Sequence, residues 1–162
     1  MGKALKPILS LLTLITGISL WSSCGDEGCT EPTTSYTVAS LTAEPGTSPV
    51  GPKSLSVYGI GQQSDSLMIN SVTTFQGISL ILDPDTTYTQ MLFEFPMSEN
   101  DTIRDTLDFH YKNQLYFLTI DCGCTVQNYL DSILHTSNLI KLIEIINPEV
   151  TNEKKPNITL YY

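Results

Sequence analysis

The chain has 162 residues, of which 41% are hydrophobic and 15% are charged, which suits about one globular domain. Its 17 acidic residues outnumber its eight Lys and Arg residues and give a formal net charge of −9. This acidic balance argues against binding to nucleic acid, which needs a basic face, and against attachment to anionic lipid by charge. The apolar fraction is too high, and the charged fraction too low, for a disordered chain.

The N-terminus has the pattern of a secretory signal peptide. Lys3 and Lys6 give its first residues a positive charge, and residues 8–20 form an apolar run of 13 residues. This run is too short to span a bilayer as a helix, which needs about 20 residues. Small residues follow it, as they do before a signal-peptide cleavage site. We therefore expect residues 1–23 to be a lipoprotein signal peptide that is removed on export.

The predicted cleavage site resembles a lipobox, in which the cysteine after the cut is acylated. Two serines precede Cys24, although Trp21 stands where a leucine is usual. Each buried CH₂ contributes about 0.8 kcal/mol, so two or three palmitate-like chains hold a protein firmly on a membrane. The sequence thus predicts lipidation of Cys24 and an acylated tether over residues 24–34. Gly25-Asp26-Glu27 resembles the surface-export signal of Bacteroidota-type lipoproteins, which predicts an outer-membrane protein facing the cell surface; the segment also suits a plain solvated tether.

From residue 35 onward, short runs of alternating apolar and polar residues are separated by turn residues. This pattern predicts an antiparallel β-sandwich, Ig-like or transthyretin-like, over residues 35–162, with a β-barrel as the alternative. Pro96 is expected to end one strand, and Asn113 to separate two others. The expected strands are 35–43, 54–60, 66–70, 77–82, 87–95, 105–112, 114–120 and 157–162.

Residues 126–146 are ambiguous between helix and strand. The apolar residues of 139–146 fit a helix nearly as well as a strand, and Asn138 could cap a helix. The high content of Ile and the stop at Asn147-Pro148 favour a strand.

The cysteines predict one disulfide bond in the processed chain. If Cys24 is acylated, Cys29, Cys122 and Cys124 remain, and thiols outside the cytoplasm tend to be oxidised. Cys122 and Cys124 are too close for an ordinary bond to each other, so one of them is expected to reach Cys29. We favour Cys29–Cys122, with Cys124 free or exchanging. A zinc site built from these thiols and one His is the alternative, but C-x-C is not the usual zinc spacing.

Several motifs resemble a family of uncharacterised Bacteroidota lipoproteins. A Phe commonly stands in that family where this chain has Cys124, so the resemblance supports the Cys29–Cys122 pairing. The family has no assigned activity, so the resemblance implies a location and a fold but no chemistry. The matching segments are Cys29, Pro32-Thr33-Thr34, Ile78 to Asp85, Asp105 to Tyr111, Asp121-Cys122-Gly123, Asn147 to Thr151 and Asn157 to Tyr162.

Five tripeptides of the form Asp-Ser/Thr followed by an aliphatic residue or Thr resemble the O-glycosylation acceptor of exported Bacteroidota proteins. About one such tripeptide is expected by chance, but Asp followed by Ser or Thr also begins many strands after turns. We expect sites on exposed turns to be used and sites inside strands not to be used. The candidate acceptors are Ser66, Thr86, Thr102, Thr106 and Ser132.

No pattern predicts catalysis, a metal or a cofactor. The chain has no G-x-S-x-G nucleophile elbow and no phosphate-binding glycine loop, and its histidines, His110 and His135, stand in no known catalytic motif. His110 is expected on a solvated strand face and His135 near the start of a strand. Asp83-Pro84-Asp85 reads as a turn rather than a Ca²⁺ loop.

The sequence therefore predicts a non-enzymatic lipoprotein that binds a protein or a glycan and is held on the membrane by its N-terminal lipid. Removal of Trp21, the only Trp, would leave Tyr and Phe for any aromatic platform. The alternative is a subunit of a surface polymer or fimbria-like assembly, in which residues 157–162 pair with the sheet edge of a neighbour. No nucleic-acid partner is expected.

Overall fold

The computed structural model describes residues 28–61 and 66–162. A compact unit spans Glu31–Tyr162. The described part of the chain contains ten strands and no helix: β1 Thr37–Thr42, β2 Leu55–Ile60, β3 Ser66–Val72, β4 Ile78–Leu80, β5 Tyr88–Ser98, β6 Asp101–Thr119, β7 Gly123–His135, β8 Leu142–Ile145, β9 Glu149–Val150 and β10 Pro156–Tyr161.

The strands form two sheets, which confirms the predicted all-β sandwich. The four-stranded sheet has the order β4-β1-β10-β8, and the six-stranded sheet has the order β3-β2-β5-β6-β7-β9. Every pair of neighbours is antiparallel except β1 and β10, which run parallel. The sandwich is thus mixed at this one pair, which the prediction of a purely antiparallel fold missed.

The core lies between the two sheets and follows the period of two expected of half-buried strands. Alternate residues of β5 and β6 are buried, while those between them remain at least partly accessible. Alternate residues of β1 and β10 supply the apolar side chains of the four-stranded sheet. The residues of these four strands that form the apolar core cluster are Ala39, Leu41, Met91, Phe93, Phe95, Leu107, Phe109, Tyr111, Ile158 and Leu160.

The predicted break at Asn113 was wrong, because β6 runs without interruption through this residue. The Asn113 side chain donates to the carbonyls of Pro84 (2.8 Å) and Thr86 (2.6 Å) and accepts a bond from Asn128 (2.8 Å). An amide that would otherwise favour a turn therefore has partners on neighbouring segments, and the backbone stays extended.

Pro96 also lies inside a strand, although it was expected to end one. The pairing of β5 with β2 stops at Glu94, and the Pro96 carbonyl beyond it accepts a bond from the Lys53 N–H (2.9 Å). The missing N–H of Pro96 therefore removes no bond from the β2–β5 ladder.

The ambiguous segment is extended, as favoured, but consists of two strands. Between β7 and β8, the loop 136–141 carries the buried residues Leu139 and Ile140 into the core. The carboxylate of Asp105 holds this loop by accepting the backbone N–H groups of Asn138, Leu139 and Ile140 at 2.8–2.9 Å. Asn138 caps no helix, because loop residues and then β8 follow it.

Candidate functional site

A cleft of about 450 Å³ lies beside the start of β5, and we call it the Tyr88 cleft. Its walls come from the end of β2, the start of β3, the turn before β5 and β5 itself. The larger side chains that line it include Ile60, Met68, Ile81, Thr86, Tyr88 and Gln90. Tyr88 is 42% exposed and Ile81 is 45% exposed, so large apolar surfaces face solvent here.

Polar groups of β6 stand beside this apolar surface. Gln90 donates from Nε2 to the Asp108 carboxylate at 2.7 Å. The rings of Tyr88 and His110, which are register partners across β5 and β6, lie 5.1 Å apart at an angle of 46°. Partial desolvation, followed by the nearby Asp108 carboxylate, raises the pKa of Tyr88 above its ordinary value. The cleft thus offers the aromatic face and hydroxyl of Tyr88 and the amide of Gln90, which is bonded to the Asp108 carboxylate on β6.

Tyr111 holds the turn that forms one wall of the cleft. Its hydroxyl donates to the Asp83 carbonyl at 2.8 Å and lies 2.6 Å from the Thr89 hydroxyl. Asp83 in turn accepts the Asp85 N–H at 2.9 Å through its side chain, which confirms the predicted turn at this point. Because the Tyr111 ring is buried, the wall is fixed to the core of the sandwich.

The chemistry of the Tyr88 cleft suits binding of a small polar molecule or a short chain. Its volume lies within the range of about 300–1,000 Å³ that is usual for ligand sites. Aromatic rings that stand beside amide and carboxylate groups can stack on the apolar face of a ligand while its hydroxyls are hydrogen-bonded. The sequence predicted a strand over residues 87–95, which contains Tyr88 and Gln90, but it did not predict the cleft.

The predicted lipidation site, Cys24, lies outside the described residues. Cys29 and Cys122 are both disulfide-bonded, and the pairing of these two residues stays a prediction. Cys124 is a free, exposed thiol. It lies at the wall of a second cleft, of about 270 Å³, together with Thr33 and Asn128.

The candidate glycosylation acceptors differ in their surroundings. Ser66 begins β3, Thr86 lies in the exposed turn before β5, and Thr102 is exposed at the second position of β6. Thr106 is half-buried inside β6, and Ser132 is exposed inside β7.

The two histidines lie on different strands, and neither lines the Tyr88 cleft. His110 is half-buried on β6, and His135 ends β7 rather than standing near the start of a strand. The Nδ1 atom of His135 lies 2.8 Å from the Thr136 carbonyl oxygen. Among residues 28–61 and 66–162, no group of three or more His, Cys, Asp or Glu side chains is placed to hold a metal ion.

Two polar residues that sequence reasoning did not single out are almost fully buried. Asp105 is 1% exposed and holds the loop between β7 and β8. Asn157 is also 1% exposed; it accepts the Val38 N–H and donates to the carbonyls of Asn147 and Glu149. The motifs around Asn147 and Asn157 therefore stabilise the fold, and their Asn residues gave no signal that separates this role from a surface turn.

The described residues contain no helix that is long and apolar enough to cross a membrane. The chain matches no curated protein and no solved structure. Residues 54–162, which are more than half of the chain, match the model of a family of unknown function, DUF6452. This match covers β2 to β10 and with them the Tyr88 cleft. The chain therefore belongs to the family of unknown function DUF6452.

Proposed function

We propose that this protein is a lipoprotein of the outer membrane, anchored through Cys24 with its sandwich at the cell surface, and that it binds a partner without catalysing a reaction. The N-terminal pattern of two lysines, a 13-residue apolar run and small residues before Cys24 supports the anchor. The acidic segment after Cys24 supports surface exposure. The resemblance to uncharacterised Bacteroidota lipoproteins supports the same location.

The Tyr88 cleft is the single observation that carries the binding role. It combines two half-exposed side chains with large apolar surfaces, Ile81 and Tyr88, with the amide of Gln90, which is hydrogen-bonded to Asp108 on β6. Glycans present apolar ring faces beside hydroxyl groups, and this arrangement matches them better than it matches an extended apolar peptide. We therefore place a surface polysaccharide or oligosaccharide first among the ligands of the cleft.

The anchor is tested on protein purified from its native membrane. Mass spectrometry of the N-terminal peptide is expected to show a chain that begins at Cys24 and carries acyl groups. Cys24→Ala should release the protein from the membrane fraction, whereas Cys124→Ala, which removes a different exposed thiol, should not. A native chain that begins at Met1 without acyl groups would disprove the anchor. Protease treatment of intact cells then separates the outer face of the membrane from the inner face.

The binding role is tested by electrophoresis through gels that contain polysaccharide. We expect the wild-type protein to be retarded and Tyr88→Ala to migrate freely. Tyr129→Ala is the matched control, because Tyr129 is 48% exposed, close to the 42% of Tyr88, and lies outside the Tyr88 cleft. Equal retardation of Tyr88→Ala and wild type on every polysaccharide that retards the protein would disprove a role for the cleft.

The alternative of a polymer subunit that donates its terminal strand gains no support from the position of β10. This strand pairs with β1 on one side and β8 on the other, so donating it would open the four-stranded sheet. Ladders of copies on unboiled gels would nevertheless favour this alternative over a monomeric binding module.

A further inference from the structure

The β6–β7 hairpin extends beyond the strands that flank it. The pairing of β5 with β6 ends at His110, and the pairing of β9 with β7 begins at Asn128. We call residues 113–126 the hairpin end. Within it, β6 has β7 on one side and no strand of the described chain on the other.

The hairpin end is apolar and almost uncharged, unlike the rest of this acidic chain. Leu115 is 70% exposed, Phe117 is 59% exposed and Ile120 is 92% exposed, and Tyr116 between them is 47% exposed. Between Lys112 and Asp131, the sequence contains one charged residue, Asp121. An exposed cluster of large apolar side chains with so little charge is typical of a surface that meets a protein or a lipid phase.

The path of the N-terminal segment indicates which of the two it meets. The Ser35 hydroxyl donates to the Val126 carbonyl at 2.7 Å, and the Thr125 hydroxyl donates to the Thr33 carbonyl. Thr125 and Val126 are the register partners of Tyr116 and Leu115. The chain therefore leaves the sandwich toward its N-terminus alongside the hairpin end.

The remaining distance to the predicted anchor is short. Thr33 is nine positions after Cys24, and a fully extended chain of that length spans at most about 30 Å. The 19 residues of β6 span about 60 Å, so the β5–β6 turn lies much farther from Thr33 than the hairpin end does. A membrane reached by lipid on Cys24 is thus within reach of the exposed apolar side chains.

We propose that the hairpin end inserts Leu115, Phe117 and Ile120 into the lipid surface of the membrane to which the protein is anchored. This proposal rests on the anchor at Cys24 stated above. Aromatic and aliphatic side chains without basic neighbours enter the boundary between headgroups and acyl chains by apolar burial, to a depth of about 5–10 Å. The contact needs no anionic lipid, and it would fix the orientation of the sandwich on the membrane.

The proposal is tested with a fluorescent reporter in the full chain. Trp21 is the only Trp, so Trp21→Leu combined with Ile120→Trp gives one Trp at the hairpin end. The matched control combines Trp21→Leu with Leu134→Trp, because Leu134 is 59% exposed on β7 and is the register partner of Asp108, outside the hairpin end. Both positions are exposed, so neither replacement disturbs the core. Each protein is added to phosphatidylcholine vesicles whose acyl chains carry bromine near the headgroups.

We expect the emission of Trp at position 120 to shift to shorter wavelength and fall about two-fold on brominated vesicles, because bromine quenches only Trp within the shallow acyl region. Emission at position 134 should be unchanged. The proposal is overturned if neither position is quenched, or if position 134 is quenched as strongly as position 120. It is also overturned if the blue shift at position 120 occurs without vesicles and depends on protein concentration, because a second copy then covers the hairpin end.

The same preparations separate this proposal from the anchor. The mass of the N-terminal peptide reports acylation of Cys24, whereas quenching at position 120 reports contact with lipid. An acylated chain without quenching disproves the hairpin contact and leaves the anchor intact. Quenching without acylation supports the hairpin contact and disproves the anchor.

Discussion

The backbone N–H of Ile140 donates a 2.9 Å hydrogen bond to the carboxylate of Asp105, 35 residues away in the sequence. The same carboxylate accepts the Leu139 N–H and the Thr136 hydroxyl, at 2.8 and 2.7 Å. The buried Asp105 carboxylate thus serves as the hydrogen-bond acceptor for loop N–H groups that are not paired in a sheet. We expect Asp105→Ala to lower the free energy of unfolding by about 3 kcal/mol, because buried N–H groups lose their acceptors. Urea denaturation measures this loss.

Asp101→Ala is the control for this prediction, because Asp101 is exposed at the first position of β6. Its replacement should change the free energy of unfolding by no more than about 0.5 kcal/mol. Equal stability of the two variants would show that the loop does not depend on Asp105.

For Thr37 we predict a substitution that raises the free energy of unfolding instead of lowering it. Thr37 is fully buried in β1, and its hydroxyl has no hydrogen-bond partner among the described residues. Thr37→Val keeps the shape of the side chain and removes the unpaired hydroxyl, so we expect a gain of about 1 kcal/mol in thermal or urea denaturation. Thr89→Val should instead destabilise the fold, because the Thr89 hydroxyl bonds to Tyr111. A loss of stability in Thr37→Val would contradict the inference that the Thr37 hydroxyl has no hydrogen-bond partner.

Asn157 joins both ends of the compact unit through one amide. Its Oδ1 accepts the Val38 N–H at 2.9 Å, and its Nδ2 donates to the carbonyls of Asn147 (3.0 Å) and Glu149 (2.8 Å). Asn157→Ala should lower the free energy of unfolding by about 3 kcal/mol, measured in urea. Asn157→Asp should be no milder, because its second oxygen would face two carbonyls.

Asn152→Ala serves as the comparison for Asn157. Asn152 makes one side-chain bond in the described chain, to the Pro32 carbonyl at 3.1 Å. Asn152→Ala should therefore lower the free energy of unfolding by no more than about 1 kcal/mol. If both variants unfold at the same urea concentration, the bonds of Asn157 do not stabilise the fold as inferred.

The disulfide pairing can be read from peptides of the non-reduced protein. We expect a Cys29 peptide linked to a Cys122 peptide, with Cys124 alkylated as a free thiol. A bond that closes about 93 residues stabilises by up to about 4–5 kcal/mol in the chain-entropy account. Cys29→Ser and Cys122→Ser should therefore lower Tm alike, whereas Cys124→Ser should leave Tm unchanged. A Cys29–Cys124 peptide would contradict the pairing.

Glycopeptide mass spectrometry of the native protein tests the candidate acceptors. We expect a glycan on Thr86, which lies on an exposed turn, and none on Ser66 and Thr102, which lie within β3 and β6. Thr106 and Ser132 lie inside strands and should remain unmodified, because a glycosylating enzyme needs local access to the backbone. Modification of these two residues alone would contradict the structural reasoning.

The alternation of residues 87–95 predicted most of β5 correctly, since side-chain direction in a strand follows from local sequence, although β5 continues past Pro96 to Ser98. Local sequence could not predict that Asn113 continues β6, because its partners Pro84 and Thr86 come from another segment. The Tyr88 cleft escaped prediction for the same reason. Its walls come from segments that only the sheet order brings together.

The parallel pairing of β1 with β10 has a consequence for biosynthesis. Val38 and Asn157 are 119 residues apart, and β10 is the strand that joins β1 to β8. Until β10 has been synthesised, β1 lacks the strand with which it pairs in parallel. A premature stop codon before β10 would therefore remove the strand between β1 and β8 and leave only the β4–β1 pair of the four-stranded sheet. Such truncated products would expose apolar surface to proteases and would be degraded instead of accumulating as partly active fragments.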